Sequence, residues 1–478
     1  MEPQIKMDYH QSLIEELPLM KKWLKLLLCA VLFLSALALY ESMAPKLLSS
    51  ANYGSDGGDF LAAVLTKGIP HPTGYPLYLL LSMIVEKLFF NTAVWKQVQL
   101  SILPSALAVS LLFYITTFFQ DKSAKYEGII AGVLASVLLA TAPLFWSQSV
   151  IVEVYTLNIF FIALAVIWFF LALKYSKKAN HHIFPLILLA WVCGLGLGNH
   201  VTYVFIYPLV LIGLWNLIQS KANKWCIFLC AVGWLSGLFT YILLPIRAQH
   251  HPLVNWGDPE TLSGFLWLLK GGGYSGNVFG IELQEYPARI ISWISLLFAQ
   301  FGIFGMLASI WGIIYAKVSS LLKWSTVYVF FVYSIFAIGY KTNDSLVYLL
   351  PSLLIFSLWI SWGILTLWKT RWKKINLGLI LSILIVINLI IVLPARYQAN
   401  APTTADLSQY AQETLAQAPN GAIVYPTTDG QTFALWYYQY GLGIRPDVKI
   451  ISHGLLQYSW YRESLLHNYP KLTENDLQ

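Results

Sequence analysis

The chain has 478 residues, of which 57% are hydrophobic and 11% charged, with a mean hydropathy of +0.62 and a formal net charge of +7. Soluble domains carry about 25% charged residues, so this composition excludes an ordinary soluble enzyme and implies a multi-pass α-helical membrane protein. Four cysteines, Cys29, Cys193, Cys226 and Cys230, fall within or beside apolar segments, which argues against a disulfide framework or a cysteine metal site.

Taken in chain order, residues 1–21 are polar and read as a cytoplasmic tail, with Lys6, Lys21, Lys22 and Lys25 before or at the start of the first apolar run. Stretches of about 20 apolar residues, the length that crosses a bilayer, recur near 22–43, 97–119, 127–145, 150–173, 183–199, 201–219, 225–246, 290–316, 324–340, 346–368 and 375–394. The first of them lacks a small-x-small cleavage site near its end, so it reads as a retained anchor. About eleven spans result, and residues 22–394 form one transmembrane body.

Alternate loops between these spans carry Lys122 and Lys125; Lys174, Lys177 and Lys178; Lys221 and Lys224; Lys317 and Lys323; and Lys369, Arg371, Lys373 and Lys374. The positive-inside bias makes these loops cytoplasmic. Counting the run YPLYLLLSMIVEKLFF, residues 75–90, as a span would reverse every later segment. It is therefore expected to lie against the outer face as an amphipathic or re-entrant helix. Three polar regions then share the outer side: a first loop of 44–96, a middle loop of 247–288 and a tail of 395–478. In the tail, NGAIVYPTTDG reads as strand and turn, QTFALWYYQYGLG as a helix closed by glycine, and RPDVKIIS as a second strand, giving a small extracytoplasmic α/β unit.

The first loop contains SDGGDFLAAVLTKGIPHPTGYPLY, residues 55–78. Ser55 or Asp56 can cap a short helix that stops at Gly68, with Asp59 in its first turn opposing the helix dipole. That reading leaves His71, Pro72, Gly74 and Pro76 unexplained, because together they force a rigid exit and a return toward the bilayer. Such a frame holds a carboxylate steady, as catalysis requires. Further polar groups mark the outer ends of spans: Glu153, the pair Asn199 and His200, Arg247, and the turn residues Asn343 and Asp344. Ionisable groups at membrane depth are costly and tend to be functional or paired. Their convergence on the side that holds Asp56 suits group transfer from a lipid-linked phosphate, with a cation holding the phosphate and a carboxylate taking the proton of an incoming hydroxyl. The Gly-rich middle loop is not a P-loop, since no GKS or GKT closes it, and no nucleic-acid partner is indicated.

With these residues in view, SDGGDFLAAVLTKGIPHPTGYPLYLLL, FWSQSVIVEVYTLNIFF, GLGLGNHVTYVF, LLPIRAQHHPLVNWGDPETL and GIRPDVKIISHGLLQYSWY resemble a bacterial family of uncharacterised membrane proteins similar to protein O-mannosyltransferases, within the GT-C superfamily. The resemblance runs from about residue 50 to about residue 465. It implies a GT-C-type transmembrane glycosyltransferase fold fed by polyprenyl-phosphate sugars, with the catalytic aspartate of the pattern falling on Asp56. The family's usual form is an aspartate, two residues and a glutamate, whereas this chain has Asp59 in the second position and HPTG where HPPG is common. The choice between Asp56 and Asp59 as base stays open at this point.

The expectation is an inverting transferase in a bacterial cytoplasmic membrane, N-terminus inside and tail outside, that moves mannose or a similar sugar to a hydroxyl of a protein or glycan acceptor. Asp56, Asp59 and Glu153 are its catalytic candidates; Arg247, His200, Asn199 and His71 are its donor and phosphate ligands; Tyr75, Asp258 and Asp344 position the acceptor or the loops. No cofactor is required, and a divalent cation on Asp59 and Glu153 is the lesser alternative. A lipid-linked glycan ligase or polymerase, a sugar-lipid transporter and a non-catalytic scaffold are the rival readings.

Overall fold

The computed structural model describes residues 19–118, 126–175, 183–219, 224–372, 375–401 and 404–477. The N-terminal tail and the loop lysines Lys122, Lys125, Lys177, Lys178, Lys221, Lys373 and Lys374 lie outside the described residues.

The chain opens with α1 (Leu19–Glu41), then a 3₁₀ turn (Ala51–Asp56) that runs into α2 (Gly57–Leu65) and α3 (Pro76–Leu88). Next come α4 (Ala93–Phe118), the bent pair α5 (Tyr126–Ala140) and α6 (Pro143–Ser149), α7 (Tyr155–Tyr175) and α8 (Ile183–Asn199). A 3₁₀ turn (Val201–Ile206) leads to α9 (Tyr207–Gln219), followed by α10 (Lys224–Leu238), α11 (Leu243–Ala248) and α12 (Leu262–Leu269). Four long helices complete the bundle: α13 (Tyr286–Tyr315), α14 (Ser320–Gly339), α15 (Leu350–Trp368) and α16 (Leu377–Asn400). A two-residue antiparallel hairpin, β1 (Arg371–Trp372) with β2 (Ile375–Asn376), joins the last two.

Among the described residues, eight helices are long and apolar enough to cross a membrane, or nine if the α5–α6 pair, bent by 63°, counts as one span. Eleven spans were expected, and the two that fall short are Ile183–Asn199 and Val201–Trp215, which are apolar but shorter. Seventeen residues at 1.5 Å each reach about 26 Å, less than the roughly 30 Å of a hydrocarbon core. The run at 75–90 forms α3, whose 13 residues are too few to cross.

Burial sorts the bundle into centre and periphery. Every residue of α15 from Leu350 to Ile364 is buried, as expected of a helix apolar on all sides. By contrast α1, α10 and α16 leave most of their apolar residues exposed, so they form the outside of the bundle.

The first loop, middle loop and tail pack against one another. Ile69 forms a parallel bridge with Asn255, its N–H bonding the Val254 carbonyl at 2.8 Å while the Trp256 N–H bonds its own carbonyl at 3.3 Å. The tail comprises α17 (Asp406–Gln417), β3 (Ile423–Val424), α18 (Asp429–Trp436), β4 (Lys449–Ile450) and α19 (Ser459–Asn468). Its two strands are parallel and only two residues long, with α18 in the crossover between them. Two anchors hold it to the first loop. The Ser408 hydroxyl accepts the Leu48 N–H at 2.7 Å, and Asp406 accepts hydrogen bonds from Ser49 and Ser50. Between α2 and α18 the backbones come so close that a Cβ at Gly58 would strike the carbonyl of Phe433.

Candidate active site

Asp56 ends the 3₁₀ turn and occupies the position before α2, but it has helical angles (φ −83°, ψ −11°) and its side chain caps nothing. The capping account of this acid therefore fails. Its carboxylate accepts one long hydrogen bond, from the Ser55 hydroxyl at 3.3 Å, and its side chain keeps 33% exposure on the wall of a cavity of about 600 Å³.

Asp59, one turn later, faces the other way. It is fully buried, its Oδ2 accepts both the backbone N–H and Nδ1–H of His71 at 2.8 Å, and its Oδ1 accepts the indole N–H of Trp256 at 3.0 Å. The rigid His71–Pro72 turn carries this pairing. The Tyr75 hydroxyl donates to the Pro72 carbonyl at 3.1 Å, so its oxygen is left to accept Nε2–H of His71 at 3.0 Å. With Asp59 on one ring nitrogen and Tyr75 on the other, the network assigns His71 as the imidazolium. Its Nε2 lies 3.7 Å from Oδ2 of Asp56.

Electrostatics follow from this packing. Burial raises the pKa of Asp56; the His71 charge opposes the rise, while Asp344, Asp59 and Asp429 add to it. Burial alone would lower His71, but the hydrogen bond to Asp59 and the charges of Asp56, Asp59 and Asp429 outweigh it and raise the group. Asp56 and His71 thus form one coupled pair at the cavity wall.

The other walls come from distant parts of the chain. His200 lines the cavity, and its Nδ1 accepts both the Thr202 N–H at 3.2 Å and, at 2.8 Å, the Thr202 hydroxyl, which leaves the ring proton on Nε2. Asp344 lines it from the turn after α14, a turn braced by Arg289, which donates to the Ser345 hydroxyl at 2.6 Å. Lys270 lines it from the end of α12, and Asp429 from the first turn of α18. Burial raises the pKa of Asp429. The turn after α8 and the end of α14 add an apolar side of Val201, Val204, Phe205 and Phe336.

Of the residues singled out from sequence, Asp56, His71, Tyr75, His200, Asn343 and Asp344 meet at this cavity, whereas Asp59, Glu153, Asn199, Arg247 and Asp258 are not on its wall. Arg247, expected to hold phosphate, donates from Nη1 to the Gly68 carbonyl at 2.8 Å, while its buried Nη2 has no hydrogen-bond partner among the described residues. Glu153 is buried and accepts the N–H of Val154 at 3.2 Å. Asn199 donates to the Val154 carbonyl at 3.0 Å, and Asp258 accepts from Asn255 at 2.9 Å. Asp59 is committed to His71 and Trp256 rather than open to a ligand. Among the described residues, no group of three or more His, Cys, Asp or Glu could hold a metal ion.

Lys270 and Asp429 were not anticipated. The first closes LSGFLWLLK just before the glycine run, and a lone cation ending an apolar helix was the available signal. The second sits in PTTDG, where an aspartate before glycine reads simply as a turn.

Comparison with known proteins agrees with this architecture. Residues 56–225 match the family described as "Protein O-mannosyl-transferase TMEM260 N-terminal domain", and residues 407–470 match "TMEM260-associated domain 2". The Protein O-mannosyl-transferase TMEM260 of Mus musculus is 26% identical over 467 residues, covering 92% of this chain and 64% of the relative. Its Dictyostelium discoideum counterpart is 25% identical over 306 residues, covering 59% of this chain and 36% of the relative. The chain thus spans less than two thirds of the length of either. ArnT from Cupriavidus metallidurans bound to undecaprenyl phosphate superimposes with a TM-score of 0.55 at 10% identity, covering 91% of both chains. The Archaeoglobus fulgidus oligosaccharyltransferase in the apo form gives 0.55 at 13% identity, covering 90% of this chain and 61% of the other. These proteins come from animals, amoebae, bacteria and archaea, so the bacterial part of the expected resemblance does not follow. The chain is a polytopic membrane protein with a GT-C-like fold, related in sequence to the TMEM260 protein O-mannosyl-transferases.

Proposed function

We propose that this protein is an inverting glycosyltransferase that moves mannose or a similar sugar from a polyprenyl-phosphate donor to a hydroxyl of a protein or glycan at the outer face of its membrane. The observation that carries this reading is Asp56: a carboxylate that caps no helix, on the wall of a cavity of about 600 Å³ and 3.7 Å from Nε2 of His71. The names of the sequence relatives, and the undecaprenyl phosphate bound to the ArnT that shares the fold, support the choice of chemistry.

In this reading the lipid tail leaves the cavity past Val201, Val204 and Phe336, and Lys270 with Nε2–H of His200 takes the phosphate. Lys270 is preferred to Arg247 in that role because Lys270 lines the cavity and Arg247 does not. Asp56 accepts the proton of the acceptor hydroxyl as its oxygen attacks the anomeric carbon from the face opposite the phosphate. The bond from that carbon to the phosphate oxygen breaks, both electrons leave with the polyprenyl phosphate, and configuration inverts. The neighbouring carboxylates also favour the positive charge that develops on the sugar ring. Asp59 holds His71 rather than acting as base, since its oxygens already accept three hydrogen bonds.

The test is sugar transfer from a membrane lipid donor by purified variants. Asp56→Asn is expected to lower the rate by about 10²–10⁴-fold, the range of a lost general base, with folding retained. Asp59→Asn is expected to keep measurable activity with an altered pH dependence. Full activity in Asp56→Asn removes that residue from the base role.

A further inference from the structure

The tail reaches the cavity wall through Asp429, but it also reaches the Asp56–His71 pair by a second route. That route is Trp256 of the middle loop. Its indole N–H donates to Oδ1 of Asp59 at 3.0 Å, and an indole offers a donor and no acceptor, so the bond has a fixed polarity. It can only support Asp59 as an acceptor, which is the form that receives Nδ1–H of His71. The Trp256 ring is enclosed by the tail: Trp460 stands 5.4 Å away between ring centroids, and Phe433 and Trp436 stand 6.2 Å away.

We propose that Trp256 is a positioning residue that fastens the docked tail to Asp59, so that the tail fixes the proton on His71 beside Asp56. The proposal rests on Asp56 as the base. It gives residues 404–477 a part in the chemistry beyond covering the cavity.

The groups that bear on this pair come from several elements. Asp56 is faced by His71 in its own loop, Asp344 from the turn after α14 and Asp429 from α18, with Asp59 and Glu153 behind it. His71 is faced by Asp56, Asp59, Asp429, Tyr75, Tyr274 and His200. Loss of the indole N–H makes the Asp59 anion less stable and more basic, so the Nδ1 proton passes toward the Asp59 oxygen and the His71 charge that helps keep Asp56 ionised weakens. The acid limb of the pH–rate profile is then expected to move to higher pH.

The test uses the full chain with a polyprenyl-phosphate sugar donor. Trp256→Phe removes the N–H and keeps a ring among the tail aromatics. Trp460→Phe is the control, because the buried Nε1 of Trp460 has no hydrogen-bond partner. The expected result is a kcat lower by about 10–100-fold in Trp256→Phe, a donor KM within about twofold of the parent, and an acid limb shifted upward. Trp460→Phe should leave both limbs in place. If Trp256→Phe keeps the parent kcat and limbs while Asp56→Asn is inactive, the positioning role is overturned and the base assignment stands. If both tryptophan variants lose melting temperature and rate together with unshifted limbs, Trp256 is only packing and the proposal fails. An active Asp56→Asn overturns the underlying reading itself.

Discussion

Asp56 and Asp59 are separated by three positions and have opposite fates. One keeps its carboxylate on a cavity with a single long hydrogen bond, and the other is sealed behind three donors. The proposed reaction needs Asp56 ionised and His71 protonated at once, which sets the pH dependence. Because burial raises Asp56, the rate should fall with acidification through a value above the ordinary aspartate pKa of about 3.9. Because its carboxylate neighbours raise His71, the rate should also fall as pH rises through a value above about 6.5. A bell-shaped profile of initial rates is expected, with limbs that belong to the pair, and His71→Gln should lose the alkaline limb. The linked effect on stability has a definite sign. A raised histidine pKa gives a contribution that is complete below about pH 6.5 and disappears as pH climbs through the folded value. At this scale the sequence revealed Asp56, His71 and Tyr75 because prolines and glycines frame them. How Arg247 and Glu153 stand relative to the cavity was not legible, because a position near the end of an apolar run does not say which way the side chain points.

Elements, rather than single side chains, bring Lys270 and Asp429 to the site. Each sits at one end of a short helix, α12 or α18, and no local pattern says where such a helix docks. Lys270→Ala is expected to raise the KM for the lipid donor by about tenfold or more, the loss of one charge-assisted contact, while the melting temperature stays within error; an unchanged KM would free Lys270 from the phosphate. The α2–α18 contact predicts a different kind of failure. At Gly58 a methyl group meets the Phe433 backbone, which cannot yield as a flexible side chain would. Gly58→Ala should cost about 1–3 kcal/mol and expose residues 404–477 to protease before the bundle unfolds. The tail strands illustrate a further limit of sequence reading: IVY and KII carry strong β preference, yet only two residues of each pair.

For the whole molecule, the run length of apolar residues located the helices of the bundle, and the exact extent of each was the part it could not fix. The break expected between 183–199 and 201–219 falls at His200, where the chain leaves the helix with β-region angles; the apolar runs did not show that the helices on either side are shorter than a full span. Placement of the first loop, middle loop and tail on the outside is testable by labelling. Among the native cysteines, Cys193, Cys226 and Cys230 are buried and Cys29 is half-buried, so background reaction should be low. A cysteine introduced at Lys67, an exposed loop position, should react with a membrane-impermeant thiol reagent added to the external face of oriented vesicles. Labelling from the cytoplasmic face alone would overturn the proposed topology.

The sealing of Asp59 bears on how such chains can vary. A glutamate there would carry one more methylene, about 1.5 Å of extra reach, into a fully buried position whose carboxylate already bonds His71 and Trp256. The longer acid would press on the middle loop through the indole of Trp256. Asp59→Glu is therefore expected to lower both transfer rate and melting temperature, and an unchanged rate and melting temperature would show that the middle loop yields to the longer acid.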